Sequence, residues 1–199
     1  METTRIYLLR HGEVEGHEAK RYNGQANVRL TPRGEAQFGL LQARLAKKPL
    51  AAIYSSDLQR CRFGADQFGQ ERSLVPVTLT ALRELHIGHW EGMTWQDIER
   101  QYPDEWQSRL QDLVHYQVPE GESLQQLAER VLPVLQNIVA KHLGEEIVVV
   151  AHGGVNRVVL LDAIGAPLSR LFSIEQDYGC LNIIDYYADG QAVVRLLNG

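Results

Sequence analysis

Two apolar runs in this chain each stop at a histidine followed by glycine, and that pairing narrows the possible folds more than any other feature. Near the start, Ile6-Tyr7-Leu8-Leu9 leads into Arg10-His11-Gly12, and far downstream Ile147-Val148-Val149-Val150-Ala151 leads into His152-Gly153-Gly154. A short apolar run without polar alternation reads as a strand buried on both faces, the kind found inside a parallel sheet. Open α/β sheets bind ligands in the crevice beyond the carboxyl ends of their strands. One histidine at such a place is usually an ordinary strand-end residue. Two with the same signature point to one crevice.

The rest of the chain supplies the helices such a sheet needs. Thr31 caps a helix with Pro32 in its first turn and Phe38, Leu41 and Leu45 on one face, running to about Lys47. Ala51 to Tyr54 is a second strand, and Ser55-Ser56-Asp57 is read as the cap of a helix carrying Leu58, Cys61, Ala65 and Phe68. Val75 to Leu79 is expected as a third strand, with Pro76 near its start or at an edge. Thr94 to His115 is helical in pattern but broken at Pro103. Glu122-Ser123 opens a long helix that Gly144 stops, Gly154 to Ile164 is another, and Asp189-Gly190 joins a terminal hairpin, Cys180 to Tyr186 and Gln191 to Leu197. Gly16 to Arg29 shows neither period and is read as a loop forming a wall of the crevice. Strands alternating with helices predict an α/β three-layer sandwich with a mostly parallel central sheet and helices on both faces. One domain over 1–199 is expected, with a helical cap-like insertion at about 94–120.

Composition closes off other classes of function. Hydrophobic residues make up 44% and charged residues 23% of 199 residues, the balance of a soluble globular chain. The apolar run broken by Arg10 is too short for a signal-peptide core or a membrane span, so a cytoplasmic location and no membrane partner are expected. The two cysteines, Cys61 and Cys180, lack metal-type spacing. With a formal net charge of −5 and no basic run longer than two residues, no nucleic-acid partner is expected. Any phosphate site must be local.

At this point the chain resembles the histidine phosphatase, or phosphoglycerate mutase-like, superfamily. Leu8-Leu9-Arg10-His11-Gly12-Glu13 is similar to its signature, and Leu30-Thr31-Pro32-Arg33-Gly34 to the element that follows. The likeness continues in order through Ser55-Ser56-Asp57-Leu58-Gln59-Arg60-Cys61, Leu82-Arg83-Glu84-Leu85-His86-Ile87-Gly88-His89-Trp90-Glu91-Gly92, and Val150-Ala151-His152-Gly153-Gly154. One Arg-His-Gly triplet is weak evidence, whereas five ordered elements are specific.

The resemblance implies a metal-independent phosphatase of the histidine acid type, with no cofactor and a small phosphorylated substrate. His11 would be the nucleophile, its other ring nitrogen held by the Gly12 carbonyl. Arg10 and Arg60 would grip the phosphoryl oxygens and His152 would donate to them, so that fixed donors stabilise the transferring group. Glu84 would give a proton to the leaving group and then take one from water. Glu13 and Gln25 are candidate pocket or substrate contacts. His17 stands where many relatives carry asparagine. His86, His89 and Trp90 are read as packing or rim residues, and Arg157 equally as a pocket residue or a solvated helix residue.

Within the family, the likeness is strongest to the α-ribazole phosphatases of cobalamin synthesis, carried by Gly88-His89-Trp90-Glu91-Gly92, Pro119-Glu120-Gly121-Glu122-Ser123 and His152-Gly153-Gly154-Val155-Asn156-Arg157. Broad-specificity phosphatases share these elements. The alternatives are a mutase-type phosphotransferase and a phospho-ligand-binding protein without turnover. Arg100 and Arg109 are the only basic residues expected between Gly92 and Glu120 apart from His115, and that scarcity favours water as acceptor over a second phosphorylated sugar acid.

Overall fold

The computed structural model describes residues 2–199. Six strands form one sheet in the order β3-β2-β4-β1-β5-β6: β1 is Thr3–Arg10, β2 Leu50–Ser55, β3 Val77–Thr78, β4 Glu146–Ala151, β5 Leu181–Tyr187 and β6 Ala192–Leu196. The first four run parallel, while the β5–β6 hairpin joins β1 antiparallel. Alternate residues of the central strands face opposite layers. Ile6, Leu8, Ile147 and Val149 pack with α5 (Leu124–Lys141) and α6 (Gly153–Ala163). Tyr7, Leu9, Val148 and Val150 pack with α1 (Pro32–Leu45) and α2 (Gln59–Arg72). Because helices cover both faces, both residue sets are buried, and the runs are apolar without alternation.

The remaining helices, α3 (Trp95–Gln101) and α4 (Pro103–Gln111), pack beyond the strand ends around Trp90, Ile98 and Val118. Pro103 occupies the first turn of α4, where its missing N–H leaves no bond unmade. Among the described residues no helix is long and apolar enough to cross a membrane.

Two expectations about local structure are corrected. The third strand is only Val77–Thr78, because Pro76 has no N–H for the ladder and its ring packs near Gly69. The start of α2 is not capped by its own flanking residues; Asn27 Oδ1 accepts from the Gln59 N–H at 3.0 Å instead. Asp57, expected there, accepts from Nε and Nη2 of Arg83, and Ser56 Oγ turns to His152 as well as to the Leu58 N–H. A carboxylate with a guanidinium fork within reach gains more from that bidentate pairing than from one amide.

Pairing of β1 with β4 sets the site. The register aligns Arg10 with Ala151, and the His11 amide continues the ladder by donating to the Ala151 carbonyl at 3.1 Å. Both His-Gly turns therefore leave the sheet side by side. The first is locked to α1: the Thr31 hydroxyl accepts from the Gly34 N–H at 3.0 Å and donates to a Glu13 carboxylate oxygen at 2.9 Å. Gly12 and Gly34 lie back to back, so that a Cβ on Gly34 would overlap the Glu13 carbonyl and one on Gly12 the Gly34 carbonyl.

Two glycines of α1 should respond oppositely to alanine. Gly39 is exposed with no atom near its missing Cβ, so Gly39→Ala should stabilise by about 0.5–1 kcal/mol through helix propensity. Gly34→Ala should destabilise by about 1–3 kcal/mol despite the same propensity gain, because backbone blocks the methyl. Chemical denaturation of both variants checks this; a stabilised Gly34→Ala would mean that the contact is not tight.

Candidate active site

His11 sits at the mouth of the crevice between the ends of β1 and β4. Its Nδ1 lies 2.8 Å from the Gly12 carbonyl oxygen. A carbonyl only accepts, so Nδ1 carries the proton and Nε2 keeps its lone pair. Burial, followed by the charges of Arg60 and Arg10, holds the imidazole pKa well below its ordinary value. The ring is neutral at neutral pH, with a nucleophilic nitrogen.

The two arginines are held by backbone carbonyls rather than carboxylates. Arg60, 2% exposed in the first turn of α2, donates through Nη1 to the Ala26 carbonyl at 2.6 Å and through Nη2 to that of Gly24 at 2.8 Å. Those carbonyls belong to the irregular segment after His17, which Glu91 fixes by accepting from the Gln25 and Ala26 N–H groups at 2.6 and 3.0 Å. Arg10 donates to the Gln176 carbonyl and lies over the Tyr178 ring, 3.9 Å from its centroid. A buried amide cluster backs it: Gln176 bonds Asn156 at 3.1 Å and Asn182 at 2.8 Å. The Nε atoms of both Arg10 and Arg60 are buried without a partner. Two orphaned cationic donors flanking a neutral imidazole are suited to an oxyanion.

His152 is fully buried, its ring edge-on to His11 with centroids 5.2 Å apart and its Nε2 2.9 Å from Ser56 Oγ. It lies under the cleft rather than on its wall. Glu84 is half-buried at the start of α6, where Oε2 accepts from the Gly154 N–H at 3.0 Å and Oε1 from the Leu85 N–H at 2.9 Å. Any side chain at position 154 would collide with that carboxylate.

The cleft encloses about 190 Å³, with Arg10, His11, Arg60 and Glu84 on its walls. Glu13 and Gln25 are not lining residues. The Glu13 carboxylate is spent on Thr31, with His17 Nε2 at 3.3 Å, and Gln25 spans Arg83 and the Glu84 carbonyl. His17, paired with Glu13, also stays off the wall. Arg157 does line the cleft, as do Arg21, Tyr22, Arg109 and Tyr178, which sequence reasoning did not place there. Tyr178 comes from an irregular stretch before β5 that has no period to read. Arg109, four residues after Glu105, reads in sequence as half of a solvated helical ion pair.

The described residues contain no group of three or more His, Cys, Asp or Glu side chains able to hold a metal ion.

A model of the histidine phosphatase superfamily (branch 1) matches residues 6–199. The chain belongs to that superfamily. A bifunctional protein of Mycobacterium tuberculosis is 34% identical over 98% of this chain, which spans 54% of that protein's length. A metal-independent phosphoserine phosphatase of Arabidopsis thaliana is 34% identical over 80% of this chain and 68% of its own. The crystal structure of the α-ribazole phosphatase from Shigella flexneri superposes with a TM-score of 0.90 at 27% identity, covering 98% of this chain and 96% of that one. The phosphoglycerate mutase-like α/β fold expected from the sequence is thus the fold of this chain.

A neutral buried histidine has a cost that depends on pH. Because the pKa of His11 is lower in the fold than its unfolded value of about 6.5, acid makes the unfolded chain take up a proton that the folded chain refuses. Its contribution to stability is therefore complete above about pH 6.5 and lost as pH falls towards the folded pKa. His11→Asn should flatten the acid limb of unfolding free energy against pH by up to about 1.4 kcal/mol per pH unit, one proton's worth. Identical acid limbs for the two proteins would show that His11 is not held neutral.

Proposed function

We propose that the chain hydrolyses small phosphomonoesters through a phosphohistidine on His11. The observation that carries this reading is the neutral His11 imidazole, with its proton pinned on Nδ1 by Gly12, between the orphaned Nε donors of Arg10 and Arg60. In the first step the Nε2 lone pair attacks phosphorus, the bond from phosphorus to the leaving oxygen breaks, and that oxygen takes a proton from the Glu84 carboxyl. In the second, water attacks phosphorus and gives a proton back to Glu84, while the P–N bond breaks and its electrons return to Nε2. Charge spread over the equatorial oxygens in both steps meets the Arg10 and Arg60 guanidiniums, which take the place a metal ion fills elsewhere. His152 steadies the His11 ring, and it donates to a phosphoryl oxygen once one of its nitrogens is released from its present contacts.

Water as the acceptor is supported by the phosphatase names of the relatives. The scarcity of basic residues after Gly92 no longer supports it, because the fold brings Arg109 into the cleft beside Arg21 and Arg157. The relatives' names offer two substrates, phosphoserine and α-ribazole phosphate, and both are phosphomonoesters of small alcohols.

The test uses leaving groups of different basicity in the presence of a strong chelator. The wild-type protein should release phosphate from both p-nitrophenyl phosphate and a sugar or amino-acid phosphate with chelator present. Glu84→Gln should slow the alkyl phosphates by about 10²–10⁴-fold in single turnover, yet slow phosphorylation by p-nitrophenyl phosphate much less, since phenolate leaves without a proton. Equal losses on both substrates would remove Glu84 as the proton donor, and activity that needs a divalent ion would reject the mechanism.

A further inference from the structure

One short segment, Gln176 to Cys180, supplies most of what holds Arg10, and every group it offers is uncharged. The segment lies just ahead of β5 and is neither helix nor strand. The Gln176 carbonyl accepts from Arg10 Nη1, and the Cys180 carbonyl accepts from the Arg10 backbone N–H at 3.2 Å. Between them the Tyr178 ring lies against the guanidinium, with Arg10 Cζ 3.9 Å from its centroid. The same ring has its centroid 5.6 Å from that of His11 and 6.5 Å from that of His17.

Tyr178 is fastened through its backbone. Its carbonyl accepts from Gln37 Nε2 at 2.9 Å, while Gln37 Oε1 accepts from the Glu13 N–H at 2.8 Å, so α1 ties this segment to the first His-Gly turn. The next residue, Gly179, donates its N–H to the His11 carbonyl at 3.0 Å. Its φ of +69° suits glycine, and a Cβ there would press into the Gln37 side chain. The ring itself is half-buried on the cleft wall and belongs to none of the hydrophobic clusters formed by the described residues. Its main contact is with a cation.

A ring face attracts a guanidinium through its quadrupole and carries no net charge, so it can orient Arg10 without neutralising it, as a carboxylate would. Contact with one face and one Nη sets the plane of the fork, and with it the direction in which Nε donates. Arg10 Nε is buried without a partner, close to the start of α6, where a Cβ on Gly153 would stand 3.4 Å from it. Resting on the phosphatase reading, we propose that Tyr178 is a positioning residue of the reaction: its ring face fixes the Arg10 guanidinium so that Nε donates to an oxygen of the transferring phosphoryl group. Its effect on the rate passes through Arg10.

The experiment grades the electrostatics of the ring while keeping its outline. Phenylalanine and its mono-, tri- and pentafluorinated analogues are placed at position 178 by site-specific incorporation, and kcat/KM for p-nitrophenyl phosphate is measured with chelator present. Fluorine withdraws charge from the ring face but leaves a ring at least as apolar, so a side chain that only fills space gives a flat series. The expected result is a stepwise fall, totalling about two- to thirtyfold from phenylalanine to the pentafluorinated ring, the scale of one cation–π contact. Tyr178→Leu should lose as much as the pentafluorinated ring. A flat series, or a loss already complete in Tyr178→Phe, overturns the inference and leaves the phosphatase reading intact. Failure of the wild-type protein to release phosphate under the same conditions overturns both.

Discussion

The parallel pairing of β1 with β4 is the constraint on which the site depends. Its register sets Arg10 beside Ala151, so the chain leaves both strands at one level and His11 and His152 meet ring against ring. A shift by one residue would exchange the faces of every side chain on the strand and bury Tyr7 and Leu9 where Ile6 and Leu8 now pack. The two hydrophobic layers therefore enforce the same register that the chemistry requires.

Given that register, the electrostatics follow from desolvation. The crevice holds one buried guanidinium, Arg60, and one half-buried, Arg10, with carbonyl partners in place of carboxylates. Carbonyls orient a guanidinium without cancelling its charge, which leaves the full cation for a ligand. The same uncancelled charge, added to burial, keeps His11 unprotonated. In the proposed mechanism the arginines therefore serve twice, by attracting an anion and by preserving the lone pair that would attack it. The route by which they are held runs outward: Glu91 fixes the segment that supplies carbonyls to Arg60, and the Gln176 amide cluster stands behind Arg10.

What could be read from the sequence was what local chemistry writes there. Apolar runs, the Thr31 and Ser123 caps, the Pro103 break and the terminal hairpin all obey short-range rules, and they appear near the expected places. Arg10 and His11 stood out at the end of an apolar run, whereas Arg60 and Glu84 were singled out by the resemblance to the family; the fold brings all four to one cleft. Glu13 and Gln25 were expected at the pocket because they are polar and close to it in sequence, yet each is consumed by a neighbour that only the fold provides. Asp57 looked like a helix cap for the same reason, until Arg83 competed for it. Arg109 and Tyr178 carried no signal at all: one sits in a pattern that normally means a solvated pair, the other in a stretch without periodicity. The loop carbonyls that hold Arg60 have no identity in sequence, since every residue has one.

The central claim is that the Gly12 carbonyl decides which nitrogen of His11 reacts. The direct measurement is the position of the phosphoryl group on the trapped intermediate, read by phosphorus–nitrogen coupling in NMR of protein labelled with ¹⁵N-histidine. The account predicts a single phosphohistidine at His11, bonded through Nε2. A phosphoryl group on Nδ1, or on any residue other than His11, would contradict it.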